Sequence, residues 1–187
     1  MKTVVNRIAF DFDGVFVDHP PFIPKGVIES LYKKKHDHLS YRMPGKLEQK
    51  IREISHSPFL RLPINDHLEA LKKISAGGGK VLYLISSRFS FLKQKTDEWD
   101  KRNKISQYFK KVYFNFGDEQ PHLYKERILR SEKIDKFIDD DLDLLLYLAG
   151  RNPKVKFYWL TRDVKQKNLP QNIYKIKTLE ELITGYL

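Results

Sequence analysis

The sequence contains no cysteine, which excludes disulfide cross-links and thiolate metal sites. It has no apolar run of membrane-spanning length, and Met1-Lys2-Thr3-Val4-Val5-Asn6-Arg7 lacks the hydrophobic segment of a secretion signal. The expectation is a cytoplasmic protein with no membrane partner. Internal repeats and low-complexity tracts are absent too. Acidic residues are the minority charge, 24 against 35 lysines and arginines, for a net charge of +11. The basic residues fall in short clusters, Lys33-Lys34-Lys35, Lys101-Arg102, Lys110-Lys111 and Lys165 to Lys167, with acidic residues among most of them. That pattern makes no single nucleic-acid stripe. A positive field draws anions toward a cleft, so a small phosphorylated substrate is the expected partner and nucleic acid the less favoured one.

What is present suffices for a full core. At 187 residues, 41% hydrophobic and 32% charged, the chain reads as one soluble domain with room for a small insert. Its organising stretch is Ile8-Ala9-Phe10-Asp11-Phe12-Asp13-Gly14-Val15-Phe16-Val17-Asp18. The apolar run from Val4 to Phe10 predicts a buried strand. It ends in two aspartates spaced by one residue, so Asp11 and Asp13 face one spot while Phe12 faces the core. Two such carboxylates stay ionised only with a cation between them. Gly14 allows a sharp turn and a close approach to the backbone.

Downstream, His19 to Pro24 predicts a linker, followed by a helix from Lys25 to Leu39 and a second from Lys46 to Ser55 with Leu47, Ile51 and Ile54 on one face. Residues 19–63 thus form a helical insert, and 1–18 with 64–187 form the core. Asn65 is positioned to cap a helix that ends at Gly77-Gly78-Gly79. Strands are expected at Lys80–Ile85, Val112–Phe116, Phe137–Ile138, Val155–Leu160 and Ile173–Ile176, alternating with helices at 90–102, 120–131 and 142–149 and one from Thr178 to Tyr186. This alternation predicts an α/β fold with a parallel, Rossmann-like sheet covered on both faces. Three polar clusters fall at strand ends, where open parallel sheets bind ligands: Asp11/Asp13, Ser86/Ser87 and Asp139/Asp140.

DFDGV after an N-terminal strand, serines after the second core strand, a lysine on the helix before the fourth, and Ile-Asp-Asp-Asp at that strand's end occur in this order. The ordered set resembles the haloacid dehalogenase (HAD) superfamily of phosphotransferases, over the whole chain apart from the insert. The insert looks like that family's small helical cap, and the combination looks most like its 5'-nucleotidase and deoxyribonucleotidase branch. The resemblance implies a magnesium-dependent phosphatase. Asp11 is then the nucleophile that becomes an aspartyl-phosphate, and Asp13 the acid and base. Ser86 and Lys125 stabilise the phosphoryl oxygens, and Ser87 and Arg88 bind substrate. Magnesium is held by Asp11, the Asp13 carbonyl and Asp139, with Asp140 close by and Asp143 further out. Lys133 and Lys136 are weaker alternatives to Lys125. The expected substrate is a small phosphorylated metabolite, with a nucleoside 5'-monophosphate as leading candidate. A phosphatase acting on nucleic-acid ends and an idle scaffold binding an anionic partner are the competing readings. Each residue also has a plain structural use: the serines as helix caps, the acidic run as a solvated turn, Trp99 and Trp159 as core, and His36 and His38 as surface. Phe22, Tyr32, Tyr41 and Phe59 serve either cap packing or stacking on a base.

Overall fold

The computed structural model describes residues 5–19, 33–34, 39–163 and 168–186. Six parallel strands form one sheet: β1 (Asn6–Phe10), β4 (Lys80–Ser86), β5 (Lys111–Phe114), β6 (Lys136–Asp139), β7 (Lys156–Leu160) and β8 (Ile173–Ile176), in the order β5-β4-β1-β6-β7-β8. From β1 the chain first builds outward through β4 and β5, then returns to the other side of β1 for β6, β7 and β8. The reversal places a topological switch point between β1 and β6, where a crevice opens at the carboxyl ends of the strands.

Alternation along the strands divides the core into two layers. Ile8, Phe10, Leu82, Leu84, Ile138, Tyr158 and Leu160 face one side. There they meet Ala70, Leu71 and Ile74 of α2 (Asn65–Ala76), Trp99 of α3 (Lys93–Asn103) and Leu182 of α6 (Glu180–Gly185). Ala9, Tyr83, Ile85, Phe137, Phe157 and Trp159 face the other. They pack on Tyr124, Ile128 and Leu129 of α4 (Pro121–Ser131) and on Leu144, Leu145 and Leu148 of α5 (Leu142–Arg151). Asp11 follows Ala9 in the alternation and so emerges on the side that α4 covers. No helix among the described residues is long and apolar enough to cross a membrane.

The segment between Asp18 and Pro63 departs in part from the helical insert expected of it. Its helix α1 (Lys46–Ser55) is present, with Leu47, Ile51 and Ile54 exposed. Lys33–Lys34 (β2), however, pair antiparallel with Ser40–Tyr41 (β3) where a continuous helix to Leu39 was expected. A long-range bond accounts for the extended backbone at Tyr41. The Gln120 side chain accepts from the Tyr41 N–H (2.9 Å) and donates to its carbonyl (3.1 Å), satisfying both main-chain groups outside any helix. Residues 20–32 and 35–38, including Phe22, Tyr32, His36, His38 and most of the helix expected over 25–39, lie outside the described residues. Helix α2 begins at Asn65 with Ile64, not Asn65, at the cap position. Ile64 is held extended by its own N–H bond to the Phe16 carbonyl (2.9 Å).

The two ends of the segment are stitched together. Asp18 N–H donates to the Leu62 carbonyl at 2.9 Å, and Val17 bridges Pro63 antiparallel. Joining ends that already touch closes a short loop at little entropic cost. Deleting 22–60 and bridging the gap with a short glycine-serine linker should therefore leave a core that unfolds in a single cooperative transition by circular dichroism. A broad, non-cooperative melt would show that the segment is integral to the core.

Candidate active site

Asp11 and Asp139 sit side by side across the switch point. The Asp11 N–H donates to the Ile138 carbonyl (2.8 Å), which sets Asp11 level with the end of β6. Lys125 bridges them, its Nζ 2.8 Å from Asp11 Oδ1 and 2.7 Å from Asp139 Oδ2. All three are buried, with relative exposures of 6%, 3% and 1% for Asp11, Lys125 and Asp139. Lys125 reaches this point because it lies on the inner face of α4, along with Pro121, Tyr124 and Ile128. Lys133 and Lys136 are excluded from the position. Lys133 occupies a left-handed turn after α4, and Lys136 starts β6 at the opposite end of the sheet, bonded to the Tyr186 carbonyl at 2.6 Å.

Asp140 completes an acidic group. One ligand oxygen from each of Asp11, Asp139 and Asp140 lies within 4.8 Å of the others. Among the described residues three carboxylates face one ammonium, an imbalance that a divalent cation would neutralise, and an all-oxygen donor set suits a hard ion such as magnesium. The electrostatics carry the same imbalance. Burial raises the Asp11 carboxyl well above the usual range against the pull of Lys125, with Asp139 and Asp13 adding to the rise. Burial likewise pushes Asp139 up to about 6, opposed by Lys125 and assisted by Asp140 and Asp141. Asp140 is held from three sides. Trp159 Nε1–H donates to its carbonyl (3.2 Å), His19 Nε2 lies 3.3 Å from its Oδ2, and its carboxyl fills the space where a Cβ on Gly14 would stand. Gly14 has φ +74°, so glycine is required there both for the turn and for the contact.

Asp13, expected as the acid and base and as a metal ligand through its carbonyl, turns its side chain to two arginines. Its carboxylate accepts from Arg88 twice, Nε to Oδ2 and Nη2 to Oδ1, both at 2.8 Å, and from Arg61 Nη2. Its side chain is therefore directed to arginines and stands apart from the acidic group. Burial acts to raise its pKa, but Arg88 and then Arg61 outweigh this and hold it well below the usual carboxylate range. Arg88, expected at the substrate phosphate, is committed first to Asp13. It also lies over the Phe12 ring (4.6 Å) and bonds Thr96 Oγ1 (3.0 Å). Arg61 was not foreseen. It is buried, and its carbonyl is fixed by the Trp99 indole N–H at 2.7 Å.

Of the two serines, Ser87 lines the cavity and Ser86 does not. The Ser86 hydroxyl, expected to bind the phosphoryl group, is buried and accepts from the Arg88 N–H at 3.3 Å. Ser87 Oγ is buried on the wall of the cavity with no hydrogen-bond partner among the described residues. Asp141 caps α5 through Asp143 N–H and Leu144 N–H and accepts from the Tyr41 hydroxyl (3.3 Å). Asp143 is exposed and adds only its backbone to that cap. Tyr41 also stacks on His122 (6.0 Å, 27°), so it docks the inserted segment on the core, while Phe59 is exposed beneath Arg102. The cavity holds about 220 Å³, between the aspartates on one side and Tyr41, Arg42, Arg52 and His56 on the other.

The elevated pKa of Asp139 has a consequence for stability. Between about pH 4 and pH 6 the folded metal-free protein holds a proton that the unfolded chain has released, so this group destabilises the fold increasingly as pH rises. In chelator, wild-type stability relative to Asp139→Asn should fall across that window, by roughly 3 kcal/mol at most. Urea melts at several pH values measure the difference, and a difference independent of pH would contradict the assigned environment. Saturating magnesium should reverse the trend, because a bound cation favours the ionised carboxylates.

No protein-family model matches the sequence, and no curated protein matches it in sequence. Solved structures do match the fold. A haloacid dehalogenase-like hydrolase of Streptococcus pneumoniae superposes with a TM-score of 0.62 at 13% identity, over 100% of both chains. A HAD hydrolase of Bacillus subtilis, solved with magnesium, gives 0.58 at 17% identity over 96% of this chain and 97% of that one. A HAD family enzyme of Bacteroides thetaiotaomicron, in complex with magnesium and inorganic phosphate, gives 0.53 at 14% identity over 87% and 97%. At these identities the likeness is one of architecture: the chain has the haloacid dehalogenase-like fold.

Proposed function

We propose that the protein is a magnesium-dependent phosphomonoesterase that works through an aspartyl-phosphate on Asp11, with a small phosphorylated compound as substrate. The observation that carries this reading is the Asp11–Lys125–Asp139 bridge at the switch point, with Asp140 beside it and the Ser87 hydroxyl on the same cavity. The magnesium and phosphate bound by a protein of the same fold support it.

In the first step an Asp11 oxygen attacks phosphorus, and the bond from phosphorus to the leaving oxygen breaks. Lys125 fixes the Asp11 rotamer and supplies positive charge beside the equatorial oxygens, and Ser87 Oγ donates to one of them. Magnesium held by Asp11, Asp139, Asp140 and the Asp13 carbonyl would offset the negative charge gathered there. In the second step Asp13 takes a proton from water, the water oxygen attacks phosphorus, and the acyl-phosphate bond breaks to restore the Asp11 carboxylate and release phosphate. The two arginines keep Asp13 ionised and so able to accept a proton, but they also lower its proton affinity. For the first step Asp13 must carry a proton to the leaving oxygen, and so must loosen from Arg61 and Arg88 as substrate enters.

A nucleoside 5'-monophosphate has less support than the broader class. Tyr41 is occupied by Asp141 and His122, and Phe59 is at the surface, so neither is disposed to stack on a base. Turnover of a panel of small phosphomonoesters should require magnesium and stop in chelator. Asp11→Asn should lower kcat by about a thousandfold or more while leaving the thermal melt cooperative. Retention of near wild-type turnover by Asp11→Asn would remove the mechanism.

A further inference from the structure

The active-site cavity has one wall from the core and one from the segment between Asp18 and Pro63. The core wall carries Asp11, Asp13, Asp139, Asp140 and Asp141 with Lys125 and Arg88 among them; the other carries His19, Tyr41, Arg42, Arg52 and His56. Among the described residues, no carboxylate of that segment lines the cavity, although Glu48 and Glu53 belong to the same helix as Arg52. Both arginines are oriented by local contacts. Arg42 Nη2 bonds Glu48 Oε1 at 2.6 Å, and the Arg52 guanidinium lies 5.8 Å from the centre of the Phe91 ring. His56 follows α1, its Nδ1 2.8 Å from the Arg52 carbonyl. A carbonyl only accepts, so Nδ1 carries the hydrogen and Nε2 is the acceptor of the neutral ring. Burial first, then Arg88 and Arg61, keep that ring neutral by lowering its pKa well below the usual range.

Phosphoryl transfer proceeds in line, with the nucleophile and the departing oxygen on opposite sides of phosphorus. If Asp11 attacks from the sheet, the leaving group departs away from the sheet, toward the arginine-bearing wall. Arginines in such a place form paired, charge-assisted hydrogen bonds with a carboxylate or a phosphate. The volume of about 220 Å³ is small for a ligand site and suits a leaving group of a few carbons.

We propose that the leaving group carries a second anionic group, a carboxylate or a phosphate, bound by Arg42 and Arg52. The substrate class is then a phosphorylated hydroxy acid or a small bisphosphate. This rests on the phosphomonoesterase reading for the identity of the reacting group, but the anion site itself is testable without turnover. A rival use of the same arginines is a latch, in which they hold the inserted segment against the aspartates by attraction alone.

A matched series of butyl phosphomonoesters ending in hydroxyl, carboxylate or phosphate separates these uses. Wild-type protein should show kcat/KM about tenfold or more higher for at least one charged terminus than for the hydroxyl, and the better of the two identifies the anion. Arg52→Gln and Arg42→Gln should bring the ratio close to one, and Arg52→Lys should retain part of it. Calorimetric binding of the same compounds to Asp11→Asn, alone and combined with Arg52→Gln, should show the same preference and the same loss. A wild-type ratio near one in turnover and in binding overturns the proposal. So does an Arg52→Gln variant that weakens all compounds equally, the signature of a latch. Selective binding without turnover by the wild type would instead leave the anion site standing and remove the phosphomonoesterase reading.

Discussion

The arrangement depends on one buried ammonium held between two buried carboxylates. Lys125 meets Asp11 and Asp139 at 2.8 and 2.7 Å, and each of the three residues comes from a different element of the fold. Removing the lysine would leave two buried carboxylates without their counter-charge, a loss of about 3–5 kcal/mol. The parallel order β4-β1-β6 brings the two aspartates level, and the inner face of α4 delivers the lysine. Because Asp140 adds a third carboxylate, the cluster stays short of positive charge. Burial, with the neighbouring carboxylates adding to it, lifts the pKa values of Asp11 and Asp139, and the shortage makes the site receptive to a divalent cation.

A second charge cluster stands beside the first and is balanced the other way. Asp13 lies between Arg61 and Arg88, so one carboxylate faces two guanidinium groups. The apolar core positions both clusters. Phe12 turns into the core, edge-on to Trp99 at 5.0 Å, while the Arg88 guanidinium lies over the Phe12 ring at 4.6 Å. The two tryptophans fill the core and also donate their indole N–H groups, Trp99 to the Arg61 carbonyl and Trp159 to the Asp140 carbonyl. Core packing and site geometry are therefore coupled through single hydrogen bonds: a core substitution at either tryptophan releases a backbone carbonyl next to a charged site residue.

Much of this was legible in the sequence where the signal is local. Asp11, Gly14 and Asp139 sit at the ends of short apolar runs, and strand alternation assigns their faces. Lys125 was legible only through the family resemblance, since by itself it reads equally as a solvated lysine; the structure turns it inward with Tyr124 and Ile128 on α4. The remainder depends on contacts remote in sequence. Arg61 reaches Asp13 across 48 residues, and Gln120 holds Tyr41 extended across 79, so neither the arginine nor the β2–β3 pair has a signature near it. The choice between Ser86 and Ser87 turns on a single residue of strand length: Ser86 closes β4 and folds its hydroxyl back to the Arg88 N–H, which leaves Ser87 on the cavity. Tyr41 and Arg88 have side chains fit for substrate, but partners already in the fold occupy them.

The central claim is that the Lys125-bridged Asp11 is the phosphoryl acceptor. The direct measurement is rapid acid quench during turnover of a phosphomonoester with magnesium, followed by peptide mapping by mass spectrometry. The account predicts a hydroxylamine-sensitive phosphoryl adduct on Asp11, absent in chelator and absent from Asp11→Asn. An adduct on another residue, or steady turnover with no covalent phosphoprotein at any quench time, would contradict it.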